Sequence, residues 1–234
     1  MTDQLVDWVA AQAEEFRTWK DSIAQSPSRL FTALASAAEL DEFMRAHGIT
    51  HGRSVEVGIG PLGLGWTALF GRGEPEDLVG FDPLPRIDAS TGIPAVDEFV
   101  SELQQRLTYV QGRAEDGLLP SGSFDLVLCS NVIDHTERPG DVLRECRRLV
   151  TEDGRLVFGV NVFSTIGYQK WVRYSRRAHP HESNVVLHPH SYTEKIADEL
   201  VGRHGWRVVA RQGASRVQRV IGHSYTYHLI AKPV

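Results

Sequence analysis

Apolar positions recur at helical spacing over the first fifty residues and then give way to short apolar runs. Between Asp3 and Ile23, the residues Leu5, Val6, Trp8, Val9, Ala13, Phe16 and Trp19 mark one face of a helix. Ser26-Pro27 reads as a cap followed by proline at the first helical position. The helix it opens runs through Leu30, Leu34, Leu40 and Phe43 and stops near Gly48. From residue 53 the pattern predicts strands at Ser54–Val57, Leu78–Phe81, Thr108–Val110, Phe124–Cys129 and Arg155–Val160. Helices fall between them, near Leu64–Phe70, Val96–Arg106 and Asp141–Val150. An irregular stretch, Ser164–His190, precedes a helix at Thr193–His204 and two closing strands, Arg207–Arg211 and Tyr225–Ala231.

Strand–helix alternation implies an α/β fold with a doubly wound, mostly parallel sheet of seven strands. Two final strands joined without a helix imply an antiparallel hairpin at its edge. The chain divides into a helical extension over 1–50 and an α/β domain over 51–234. Its 234 residues suit one such domain. At 41% hydrophobic and 24% charged residues, it can bury a full core. No run approaches the ~18 apolar residues of a membrane span, so no membrane partner is expected. The acidic, amphipathic N-terminus lacks the basic start and apolar block of a secretory signal, so a cytoplasmic location is expected. A net charge of −5 argues against a nucleic-acid partner, which usually leaves a basic footprint. Cys129 and Cys146 lack metal-ligand spacing and read as buried free thiols.

Candidate chemistry begins where the first strand ends. Glu56-Val57 is followed by glycines at 58, 60 and 63. Glycine allows close backbone approach to a ligand, and open α/β sheets bind ligands at the carboxyl ends of their strands. Dinucleotide enzymes share this spacing, which leaves an NAD-dependent oxidoreductase as one reading. Glu56 tips the balance: a carboxylate there repels a pyrophosphate and suits a cationic amino-acid moiety. Asp82 ends the second strand and is placed to accept hydrogen bonds from ribose hydroxyls.

Further motifs follow in order: Gly112-Arg113-Ala114-Glu115-Asp116, then Ser123-Phe124-Asp125-Leu126-Val127, then Ser130-Asn131-Val132-Ile133-Asp134-His135. Together with Glu56-Val-Gly-Ile-Gly60, this succession resembles the type 11 family of class I S-adenosylmethionine-dependent methyltransferases over roughly residues 50–162. The turn Glu152-Asp153-Gly154 departs from the family's usual Pro-Gly-Gly. The resemblance implies a Rossmann-like fold with S-adenosyl-L-methionine held by Glu56, Gly58, Gly60 and Asp82. It further implies Ala114 and Glu115 beside the adenine and Ser130 on the methionine side. In this architecture the helical N-terminus and an insert at about 163–192 would cover cofactor and substrate; Trp8, Trp19 and Lys20 are lid candidates, and core packing explains their spacing equally well. Trp171, Arg173, Tyr174, Arg176 and Arg177 lie in that insert, where they serve either an anionic acceptor or merely a solvated loop.

The methyl acceptor decides what else is needed. An amine reacts with little help, whereas an alcohol needs a base or a cation. Asp134-His135 follows the fourth strand, and His188-Pro189-His190 precedes a helix. An imidazole with pKa ~6.5 accepts a proton near neutrality. His135 and His188 acting with Asp134 would form a base system for a hydroxyl. Asp134, His135 and His190 would alternatively hold a divalent metal such as magnesium, and a purely structural role is the third reading. The runs Asp134-His-Thr-Glu-Arg-Pro, His188-Pro-His and Phe81-Asp-Pro-Leu-Pro resemble, more loosely, bacterial carbohydrate-associated O-methyltransferases such as the mycobacterial methylmannose polysaccharide sugar methyltransferases. The expected activity is therefore O-methylation of a small molecule, a sugar or oligosaccharide, by a chain that would act alone or as a homodimer. An N-methyltransferase for a small amine and a non-catalytic cofactor-binding subunit are the alternatives. Nucleic-acid amino methyltransferases carry Asn/Asp-Pro-Pro-aromatic after the fourth strand, which Ser130-Asn-Val-Ile does not match.

Overall fold

The computed structural model describes residues 8–25, 28–49, 52–88, 90–175, 189–221 and 223–234. Two helices lead, α1 (Trp8–Gln25) and α2 (Ser28–Ala46). Then come β1 (Ser54–Val57), α3 (Trp66–Phe70), β2 (Leu78–Asp82), α4 (Pro94–Gln105), β3 (Thr108–Gln111) and β4 (Phe124–Ser130). The chain closes with α5 (Pro139–Leu149), β5 (Val150–Phe163), α6 (Thr165–Ser175), α7 (Glu194–Arg203), β6 (Trp206–Gln212), α8 (Arg216–Ile221) and β7 (Ser224–Pro233). The seven strands form one sheet in the order β3-β2-β1-β4-β5-β7-β6, and β7 runs antiparallel to both its neighbours. This is the expected seven-stranded, mostly parallel sheet.

Alternation along β4 explains the layering. Leu126 and Leu128 pack with Trp66 of α3 and Leu40, Phe43 and Met44 of α2. Val127 and Cys129 face the other way, onto Leu143, Cys146 and Leu149 of α5. Both cysteines are buried and free, as their surroundings suggest. Because the strand order reverses between β1 and β4, a crevice opens at their carboxyl ends, the usual ligand position in such sheets.

Four elements depart from expectation. The stretch after the fifth strand is not all irregular: α6 forms within it, with Ser164 Oγ accepting the Gly167 N–H at 2.9 Å. The last two strands are joined by α8, a helix that buries no residue. β5 begins at Val150 rather than Arg155 because a bulge carries it past Gly154, where a β-carbon would lie 2.8 Å from the Asp125 carbonyl. On α1, Val9 and Ala13 point to solvent, and Ala11 takes the buried position. The Ser26-Pro27 cap lies outside the described residues. Among those residues no helix is long and apolar enough to cross a membrane.

Candidate active site

The glycine turn after β1 is anchored to β2 through its backbone. Gly58 N–H donates to the Phe81 carbonyl at 2.7 Å, and Gly60 N–H to Asp82 Oδ2 at 2.8 Å. Gly58 has φ 72°, and a β-carbon there would lie 2.2 Å from Val132 Cγ2. Only glycine meets both constraints. Asp82 also accepts the Leu84 N–H, at 2.9 Å. Burial pushes its carboxyl up to about 6, against the downward pull of these two N–H donors.

Glu56 sits beneath the turn, 7% exposed. Its carboxylate accepts the Thr67 N–H at 2.8 Å and so ties the start of α3 to the end of β1. Burial holds its pKa above the ordinary carboxylate value. Gly65 leaves room for it: a β-carbon there would fall 2.2 Å from Glu56 Oε1. Glu56 thus has a structural task that the sequence reading did not assign.

These groups line one cavity of about 520 Å³, a size typical of small-molecule sites. Gly58, Gly60 and Asp82 form one wall and Ala114 and Glu115 another. Arg113 braces the second wall by reaching Glu115 at 3.1 Å and Glu137 at 3.3 Å. Ser130, Asn131 and His135 line the end of β4, and α1 and α2 supply a roof that includes Trp8, Trp19 and Leu40. The Trp19 ring comes so close that a β-carbon on Gly60 would stand 3.4 Å from it. Every cofactor residue named from the sequence therefore borders this space.

The acid–base candidates are brought together only in part. Asp134 is buried, with Oδ2 3.6 Å from His135 Nε2. His190 does not line the cavity; its Nε2–H donates to the Thr136 carbonyl at 2.9 Å. Asp134, His135 and His190 do not form a metal-holding group, and among the described residues no cluster of three or more His, Cys, Asp or Glu does. His188, Arg176 and Arg177 lie outside the described residues. Trp171 and Tyr174 stack in series behind Phe163, at centroid distances of 5.4 and 5.6 Å.

Sequence reasoning passed over two groups. His228 on β7 is 7% exposed and stacks on Phe43, and burial lowers its pKa. It leans with Ser130 over Gly159, where a β-carbon would lie 2.4 Å from Ser130 Oγ and 3.2 Å from His228 Nε2. In the sequence it stands inside the apolar run at 227–231, which hints at its burial but not at its neighbours. The second is Asn131, whose φ is 58°.

Sheet order, glycine turn and roofed cavity together define a class. Residues 55–158 match the family described as "Methyltransferase domain". The 1,6-didemethyltoxoflavin-N1-methyltransferase of Burkholderia thailandensis, solved with its substrate and S-adenosylhomocysteine, superposes with a TM-score of 0.59 at 18% identity, covering 95% of this chain and 88% of that one. Magnesium protoporphyrin IX methyltransferase from Synechocystis PCC 6803, solved with S-adenosylhomocysteine, gives 0.55 at 16% identity, covering 86% and 83%. The fold is thus the Rossmann-like fold of class I methyltransferases. In sequence, ubiquinone biosynthesis O-methyltransferase of Vibrio campbellii is 30% identical over 90 residues, which is 35% of this chain and 38% of that enzyme. The match thus spans under two-fifths of that relative's length.

Proposed function

We propose that this protein is an S-adenosylmethionine-dependent methyltransferase that methylates a hydroxyl on a small molecule. The observation that carries the reading is the roofed cavity that the glycine turn and Asp82 line together with Ser130 and His135. The residues fit the cofactor. Gly58 and Gly60 clear a cradle that β-carbons would fill, and the Asp82 carboxylate stands ready for ribose hydroxyls. When bound, the cofactor supplies an activated methyl group on a sulfonium. The chain's own residues then orient the acceptor and keep water out. The α1–α2 roof favours a small acceptor over a polymer. His135 accepts the hydroxyl proton in this reading, and buried Asp134 at 3.6 Å is its positioning residue, holding the imidazolium that forms.

Within this reading the sequence motifs around Asp134 and Phe81 support a saccharide acceptor. The partial likeness to ubiquinone biosynthesis O-methyltransferases supports oxygen as the atom that is methylated. Transfer of labelled methyl from S-adenosylmethionine to a panel of methyl glycosides, catechols and amines tests the proposal. Label on hydroxyls is expected, and His135→Ala should lower kcat at least ~100-fold while S-adenosylhomocysteine still binds. Label on amines alone contradicts the hydroxyl reading, and an unchanged kcat in His135→Ala removes the base role.

A further inference from the structure

The face formed by α6 and α8 carries apolar side chains that the fold leaves in water. α8 buries no residue, and its Val217, Val220 and Ile221 stand 64%, 51% and 64% exposed. Their spacing puts all three on one side of the helix. On α6, the exposed residues Ile166, Lys170, Arg173 and Tyr174 also share one helical face. The two helices lie together. Ser164 N–H, just before α6, donates at 3.2 Å to the carbonyl of His223, just past α8. A β-carbon on Gly167 would fall 2.2 Å from the same oxygen. Single exposed aliphatic residues are ordinary, whereas a cluster of this kind marks a contact surface. Its charge is one-sided as well. The chain carries a net charge of −5, yet residues 154–175 and 200–234 contain no Asp or Glu. Arg219 is tied to Glu194 of α7 at 3.1 Å, while Lys170, Arg173 and Arg216 make no ion pair among the described residues.

We propose that the α6–α8 face docks on an anionic lipid bilayer surface. Lys170, Arg173 and Arg216 meet the lipid phosphates, and Val217, Val220 and Ile221 enter the boundary of the acyl region. Tyr174, with an apolar ring and a polar tip, suits the headgroup level between them. Surface docking needs no membrane-spanning helix. Two other occupants fit less well. A second copy in twofold contact sets these cations against their own counterparts, with no acid in either segment to offset them. A nucleic acid satisfies the cations and leaves the aliphatic cluster without a partner. β5 runs parallel to β4 and delivers α6 at the carboxyl end of the sheet, so the docking face and the cavity share one edge. Docking does not depend on the chemistry in that cavity and is measured without turnover.

Flotation of the full chain with vesicles tests the proposal. Vesicles of equal parts phosphatidylglycerol and phosphatidylcholine should carry the protein, and phosphatidylcholine alone should bind it at least about tenfold more weakly. Binding should weaken as salt rises. Replacing the aliphatic cluster by Val217→Ser, Val220→Ser and Ile221→Ser together should weaken binding at least about tenfold. Lys170→Glu with Arg173→Glu should weaken it by at least about the same factor. An unchanged thermal melt in both variants is expected, because the altered side chains are exposed. No binding to the anionic vesicles, equal binding to both kinds, or full binding by either variant overturns the proposal. A dimer that light scattering detects and the serine variant abolishes, without vesicle binding, makes the face a contact between copies and overturns it too.

Discussion

Asp82 is the residue on which cofactor affinity and pH meet. Its carboxyl titrates near 6 in the free protein because burial opposes the charge. Ribose hydroxyls donate to the ionised form, so binding favours deprotonation. Affinity for S-adenosylhomocysteine should therefore be full above about pH 7 and fall as pH drops through 6. Calorimetry across that range checks this: Asp82→Asn should bind at least about tenfold more weakly, with no dependence there. His228 acts on stability instead of binding. Burial lowers its folded pKa below the 6.5 of the unfolded chain, so the unfolded state takes up the proton first. Its stabilising contribution is present above pH 6.5 and is lost as pH falls. Thermal melts should show a smaller loss of Tm between pH 7 and 5 for His228→Gln than for the wild type. The glycine turn and Glu56 were legible in the sequence because they are contiguous, and Asp82 because it closes the next apolar strand. His228 was not, since its neighbours Ser130, Gly159 and Phe43 come from two other strands and a distant helix.

At the scale of elements, the sheet strands were legible because each buries an apolar run that local pattern records. α6 was hidden because Gly167 is its one buried residue, and its aromatic residues stack along a line instead of filling a face. α8 was hidden for a related reason: it buries nothing, and Val217, Val220 and Ile221 are exposed. The roof helix α1 shows the limit of periodicity. Its repeat marked a helix correctly, but Trp8 and Trp19 line the cavity while Val9 faces solvent. If α1 closes over a bound cofactor, the Trp19 ring stands where ligand contact must alter its surroundings. Tryptophan fluorescence should change on adding S-adenosylhomocysteine, and most of that change should vanish in Trp19→Phe. An identical response in the variant would place the closure elsewhere.

Across the whole molecule, the strand reversal between β1 and β4 converts separate motifs into one site. Residues at 56–60, 82, 114–115, 130–132 and 135 lie far apart in the chain, yet all border the crevice that this reversal opens. Their order in the sequence pointed to the class. The roof needed the folded molecule, because α1 and α2 reach the cavity through tertiary packing that local pattern does not record. The cofactor that binds in that crevice separates a methyltransferase from a dinucleotide enzyme. Isothermal calorimetry with the full chain measures it directly. One S-adenosylhomocysteine should bind per chain, with no heat from NAD under the same conditions. Binding of NAD without S-adenosylhomocysteine, or of neither, would contradict the account.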